Sequence, residues 1–459
     1  MTQPAMPVAD LRSHEHYIAF CVALAQERLS PFFSLEEIGA QERQINLYPR
    51  LASLDEPHQI LILEDETPHG EGWARAQAAV ARGEVLLEHA AAGEGIRLML
   101  GPKYLLNLGR DLTIRDIAHL MSLDLGEVIA AETVAAQLAC PPQELLPLSL
   151  GQRHMLQLAF DLETLARELG EGPPAVLKRQ HLLIIICEEM AALIGKEFYQ
   201  WQFYGFNPAQ VYFLVQRSYH GLNLKKGQFY YDLHSPRRLH NHGQMVMQQT
   251  MDRQVFALGG AHPWERTPQP RPGVAEWLAG FSDKVSYNME DLDYLTGSLD
   301  YPALGLALEL GNQGFHMVME VVANNPAKPQ KGGMLAWDPE LKRDVMIESF
   351  QLGALPHHEI RYLNRNFNHY PRPLVCWQRV GEAGLPMPIA VKEGFLYFQP
   401  VQGDINFLVD TAFFRRRELK PIRNLKSPKD LPTAVNAMAA QDQQPGFRQF
   451  VQRCREGLL

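Results

Sequence analysis

The run His181-Leu182-Leu183-Ile184-Ile185-Ile186-Cys187 constrains this chain more than any other stretch. Apolar residues in unbroken succession suit a strand whose sheet is covered on both faces. Helical spacing follows over 188–198, and Val211-Tyr212-Phe213-Leu214-Val215 flanked by Gln210 and Gln216 reads as strand again. Strand, helix, strand at this distance is a βαβ unit with a parallel pair.

Around that unit the spacing predicts further strands over 284–289 and 315–322, and a hairpin of 334–337 with 344–349. Shorter strands are expected over 374–377, 395–398 and 407–409. Helices are expected over 13–30, 73–81, 112–120, 128–138, 155–169 and 432–440, with another after Pro445-Gly446. Residues 60–63 suit a strand or a helical turn equally. The proline-rich run 267–273 reads as a surface insertion. The expected fold is α/β: a Rossmann-like, mixed but mostly parallel central sheet flanked by helices. Its expected parts are an N-terminal helical layer over 1–80, an α/β domain over 81–370 and a small C-terminal region over 371–459.

The chain has 459 residues, 46% of them hydrophobic, which is enough for a full core. Its formal net charge of −9 gives no electrostatic reason to expect a nucleic-acid or membrane-surface partner. The five cysteines are odd in number and lack C-x-x-C spacing, a pattern of reducing compartments. No basic-then-apolar leader and no run of about 18 apolar residues is present. The expectation is a soluble, cytoplasmic protein.

Ligands of open α/β sheets sit beyond the carboxyl ends of the strands, so the polar residues there come next. One such place follows Val85-Leu86-Leu87, where small residues lead to Ala92-Gly93-Glu94-Gly95, then Arg97, then Gly101-Pro102-Lys103. Glycines let backbone N–H groups approach phosphate oxygens, and the two cations add fixed charge. A tight turn that binds nothing fits the same residues. Gln216 ends one strand, Glu290-Asp291 another and Asn324-Asn325 a third. Paired acids beside a phosphate-type loop suit Mg²⁺ held by oxygen ligands, or else cap the next helix or face water. His234, His240 and His242 match no zinc spacing. The absence of a third glycine speaks against a dinucleotide-binding loop.

Taken in order, these motifs resemble the eukaryotic-type UTP–sugar-1-phosphate uridylyltransferases, the UDP-glucose and UDP-N-acetylglucosamine pyrophosphorylase group. Residues 92–103 are similar to that family's G-G-x-G-T-R-like loop closing on Pro-Lys. Gln216 stands at the strand end that touches uracil, and Leu239-His240-Asn241-His242-Gly243-Gln244 at the base-recognition loop. Glu290, in place of an aspartate, stands at the metal-binding acid. Residues 318–348 resemble the sugar-side strands, and Arg361 with Asn364-Arg365-Asn366 the basic residue and N-x-N segment that follow. Residues 417–424 are similar to the R-x-x-F-x-P-x-K segment, with Arg423 at the lysine.

The resemblance implies a nucleotidyltransferase that makes a UDP-sugar and pyrophosphate from UTP and a sugar-1-phosphate. A catalytically degenerate relative, acting as a nucleotide- or sugar-binding module, is the alternative. The implied catalytic cations are Arg97, Lys103, Arg361 and Arg423, and the implied nucleotide contacts are Ala92, Gly93, Glu94, Gly95, Gln216, His242 and Gly243. Asn324, Glu348 and Asn366 would bind sugar hydroxyls, and Glu290 and Asp291 would hold Mg²⁺.

Overall fold

The structure, a computed structural model, describes the chain except residues 1–12, 64–69, 94, 96–97, 260–265, 269–270, 326–328 and 418–422. The side chains of 266–268, 271–274 and 366 are also outside the description.

The described residues build one large sheet from twelve strands. In chain order these are β1 (Ile60–Leu63), β2 (Val85–Ala90), β3 (His181–Cys187), β4 (Val211–Gln216), β5 (Val255–Leu258) and β6 (Arg266–Pro268). They continue with β7 (Asp283–Asn288), β8 (Met317–Ala323), β9 (Met334–Asp338), β10 (Arg343–Ile347), β11 (Tyr362–His369) and β12 (Thr411–Arg416). Their order across the sheet is β1-β12-β8-β11-β7-β2-β3-β4-β5-β6, with β9 pairing both β10 and β11.

The expected βαβ unit is present, since β3 and β4 pair in parallel and the helix Ala191–Gln200 lies between them in sequence. Burial of β3 follows its apolar run. Leu182, Ile184 and Ile186 enter the core on one face, Leu183, Ile185 and Cys187 the core on the other.

The sheet is mixed, as expected, but not mostly parallel: among the described residues five strand pairs run parallel and six antiparallel. β7, β2, β3 and β4 are mutually parallel, as are β1, β12 and β8. Between these two groups β11 runs antiparallel to both neighbours, β8 and β7. At the far edge β5 and β6 are antiparallel as well.

Three further stretches differ from their sequence-based expectation. Residues 374–377 belong to the helix Pro373–Ala383, launched by Arg372 at φ 52 with Pro373 at the first helical position. Cys376, Trp377 and Val380 form its buried face. Residues 402–407 form a 3-10 turn held by Asn406, whose amide bonds the Met346 and Gly403 carbonyls, so the strand starts only at Thr411. Part of the proline-rich run is β6, a strand of the sheet edge where proline's missing N–H is tolerated. The outer segments also feed the sheet: β1 comes from 1–80 and β12 from 371–459. The helix His14–Leu29 packs instead on a separate four-stranded sheet built from Leu222–Lys225, Gln228–Tyr231, Ile389–Lys392 and Phe395–Phe398.

Under the sheet the helix Leu150–Glu168 starts with a capping box of Ser149 and Gln152. The Gln152 amide also reaches Glu197 Oε2 at 2.9 Å, and Tyr204 donates to Glu197 Oε1 at 2.9 Å. Burial nonetheless pushes the Glu197 carboxyl up to about 7. A carboxyl with a folded-state value above its unfolded one costs nothing below the unfolded value. It erodes stability as pH rises through the interval and costs a constant amount above it. Replacing Glu197 by Gln removes that dependence. Urea titrations between pH 4.5 and 7.5 should show the variant gaining about 3 kcal/mol on the wild type, at 1.36 kcal/mol per unit; parallel profiles would contradict it.

Candidate active site

The carboxyl ends of β2, β4 and β7 open onto a cleft of about 550 Å³. Register brings them level: Ala90 pairs with Asn288, and Cys187 with Gln216. This is the position the open-sheet rule assigns to ligands.

The loop after β2 supplies Ala92, Gly93 and Lys103 to the cleft wall. It closes on itself through Lys103 N–H donating to the Gly93 carbonyl at 3.1 Å. Gly95 sits at φ +62, and a Cβ there would stand 2.3 Å from the Gly101 carbonyl oxygen, so only glycine fits the bend. Gly95 therefore shapes the loop and is not on the cleft wall. Glu94 and Arg97 lie outside the described residues.

Opposite, the helix His242–Gln249 points its first turn at the cleft. Two glutamines one turn apart pin it to the end of β4. Gln244 donates to the Arg217 carbonyl at 2.7 Å, and Gln248 to the Val215 carbonyl at 3.0 Å. Its cap, Asn241, is held at φ 65, a region unfavourable for a residue with a Cβ. Gln216 supports this corner by donating from Nε2 to the Asn241 carbonyl at 2.8 Å. His242 is exposed into the cleft, with its imidazole held toward neutral by the surrounding walls; Lys426 adds to that and Glu290 opposes it. Gly243 lies behind, its N–H on the Pro400 carbonyl at 2.9 Å, and a Cβ there would meet the Pro400 carbon at 2.4 Å.

At the end of β7, Glu290 faces two cations. Its Oε2 is 2.5 Å from Lys103 Nζ and its Oε1 is 3.4 Å from Lys426 Nζ. Burial opposes its ionisation, but the two ammonium groups outweigh that and hold the carboxyl below its ordinary value. Lys426 was not singled out in the sequence. Backbone pairing places it there: Leu425 N–H donates to the Glu290 carbonyl at 2.8 Å and Leu292 N–H to the Arg423 carbonyl at 2.9 Å. The same zipper directs Arg423 to Asp293, at 2.5 Å, off the cleft wall. The signal was the lysine three residues beyond Arg423: it, and not Arg423, brings a positive charge to the cleft wall from this segment.

The other expected residues divide in the same way. Glu348 lines the cleft, with Asn364 and Asn368 from one face of β11 and with Gln399, Gln402 and Ser286. Burial raises the Glu348 carboxyl, with a hydrogen bond from Asn364 opposing. The side chain of Asn366 is outside the description. Asn324 is buried elsewhere: it accepts from Gln330 N–H at 2.9 Å and donates to the His357 carbonyl at 2.9 Å, a loop staple with no face on the cleft. Arg361 is on the surface, 2.7 Å from Glu56, with both side chains about two-thirds exposed.

Asp291, expected beside Glu290 as a Mg²⁺ ligand, is buried and accepts from Asp293 N–H at 2.9 Å. Burial pushes its carboxyl up to about 6. A divalent cation needs carboxylate oxygens free to coordinate it, whereas both Glu290 oxygens face ammonium groups and Asp291 turns inward. Among the described residues no three His, Cys, Asp or Glu side chains gather in metal-holding geometry. In this arrangement the expected ligand pair does not fit Mg²⁺.

Beneath the floor, Lys284 Nζ lies 2.8 Å from Glu88 Oε2, both side chains fully buried, and 4.1 Å from the Trp377 ring centroid. Glu88 also accepts from Ser286 Oγ at 2.5 Å and Gln249 Nε2 at 2.8 Å, and Gln402 reaches Ser286 Oγ at 3.0 Å. The cleft-lining Ser286 and Gln402 therefore rest on a buried ion pair.

No protein-family model matches the chain, and no curated protein does. Solved structures do match. UDP-N-acetylglucosamine pyrophosphorylase from Trypanosoma brucei, in complex with an inhibitor, aligns at a TM-score of 0.56 and 12% identity over 93% of this chain and 80% of that one. UDP-glucose pyrophosphorylase from Leishmania major aligns at 0.52 and 14% identity over 94% and 78%. A serine-to-phenylalanine mutant of the Leishmania enzyme, in complex with UDP-glucose, aligns at 0.51 and 12% over the same shares. No helix among the described residues is long and apolar enough to cross a membrane. The sequence resemblance and the structural neighbours agree, and the fold of this chain is that of the UDP-sugar pyrophosphorylases.

Proposed function

We propose that this protein transfers a uridylyl group from UTP to a sugar-1-phosphate. The supporting observation is the meeting of Lys103 and Lys426, more than 300 positions apart in sequence, in one cleft. The corner of Gln216, Asn241 and His242 lines the same cleft, and so does a wall of amides and a carboxylate. An oxygen of the sugar phosphate attacks the α-phosphorus; that P–O bond forms as the bond to the β-phosphate oxygen breaks, and pyrophosphate leaves. Such a reaction asks a protein for alignment and charge neutralisation and little covalent chemistry.

Lys103 and Lys426 neutralise the triphosphate as charge shifts to the leaving group. Gly93 allows its backbone to come close to the phosphates. His242, neutral and at the helix start, donates a ring N–H to a phosphate oxygen. Gln216 spends its amide N–H on Asn241, which leaves its Oε1 to accept from the imide N–H of uracil. Glu348, Asn364 and Asn368 take sugar hydroxyls, and Asn366 belongs to the same strand. Arg361, Arg423, Asp291 and Asn324 act outside the chemistry.

The experiment is pyrophosphate release from UTP across a panel of hexose-1-phosphates, with thermal midpoints recorded alongside. Release that requires both substrates, together with a UTP-raised midpoint, is the expected result. A midpoint indifferent to UTP and to UDP-sugars would end this reading. A UTP-raised midpoint without release would favour the non-catalytic binding module.

A further inference from the structure

Glu290 stands where the family resemblance puts a metal-binding acid, yet its carboxylate is engaged at both oxygens by the two cations proposed above to take phosphate. The geometry points to Glu290 as an internal competitor of the substrate: its carboxylate occupies Lys103 and Lys426 until the phosphates of the nucleotide displace it. This rests on the phosphate-binding role given above to the two lysines.

The side chains of Lys103 and Glu290 are only 11% and 14% exposed, so their attraction is little screened. Glutamate, one methylene longer than aspartate, carries its charge across the gap between the two stretches of chain that bring the lysines. One carboxylate and two ammonium groups leave the cluster with one net positive charge. A phosphate chain with several charges and several oxygens can engage both ammonium groups at once and outcompete a single carboxylate. The carboxylate compensates the buried Lys103 ammonium and the partly exposed Lys426 ammonium beside it.

A metal ligand and a competitor predict opposite signs for one substitution. Binding of inorganic pyrophosphate is measured by titration calorimetry on the full chain, in EDTA and again with magnesium. If Glu290 competes, Glu290→Gln binds pyrophosphate in EDTA at least fivefold tighter than wild type. Glu290→Asp, a shorter competitor that keeps the charge, falls between them and serves if the amide variant folds poorly. Equal or weaker binding by Glu290→Gln in EDTA overturns the proposal. So does a tenfold gain from magnesium in wild type that Glu290→Gln abolishes. The readout is independent of turnover. Tighter pyrophosphate binding by Glu290→Gln with no UDP-sugar formed by wild type would sink the transferase reading and leave this one standing. Turnover by wild type with weakened pyrophosphate binding by Glu290→Gln would do the reverse.

Discussion

Lys284→Met is expected to lower the unfolding free energy by about 3–5 kcal/mol, the usual cost of removing one partner from a buried ion pair. Glu88 would keep its bonds from Ser286 and Gln249 but lose its paired cation, in a site with no solvent access. The loss also removes an ammonium seated over Trp377 and Tyr370, which ties the helix Pro373–Ala383 to β7. A second substitution separates charge from packing. Glu88→Gln in the Lys284→Met background should recover more than half of the loss, because no buried charge is then left alone. Urea unfolding of the two single variants and the double variant measures this. A single-variant cost below about 1 kcal/mol would show that the pair contributes little.

Lys426→Ala is expected to reduce pyrophosphate affinity and the proposed transferase activity about 10- to 100-fold. A hydrogen bond to a charged group contributes about 1.5–3 kcal/mol, and 1.4 kcal/mol is a factor of ten. Arg361→Ala and Arg423→Ala should each change either quantity less than threefold, since Arg361 pairs with Glu56 at the surface and Arg423 with Asp293 off the cleft wall. Titration of all three variants with pyrophosphate orders them. A larger loss in Arg361→Ala than in Lys426→Ala would mean that the phosphates bind somewhere other than this cleft.

What could be read from the sequence depended on how local the cause was. The run 181–187 specified a doubly covered strand by itself, because burial on both faces leaves no room for a polar residue. The hairpin of 334–337 with 344–349 was equally plain, and its strands pair over 334–338 and 343–347. Residues 374–377 were not, since four apolar positions fit a strand or one helical turn, and Pro373 and Arg372 settle the choice. Of the residues on the cleft wall, Ala92, Gly93, Lys103, Gln216, His242, Glu290 and Glu348 could be picked out because each lies at or just beyond the end of a regular element. Lys426 was missed because its place depends on a backbone bridge between Asp291 and Asn424, a tertiary contact with no local trace. Arg361 looked catalytic by order of motifs alone, and order says nothing about which way a side chain turns.

The antiparallel β11 has a consequence for how the chain is made. It separates β8 from β7, both of which leave the ribosome before it does. A nascent chain ending ahead of residue 362 holds the half-sheet from β7 to β6 but neither sheet neighbour of β8, since β12 is later still, so β8 and the β7 edge offer unpaired N–H and C=O groups to a neighbouring chain. Closure waits for a wedge supplied from the last quarter of the polypeptide. The same wedge delivers Asn364 and Asn368, so the cleft acquires that wall only when β11 joins the sheet.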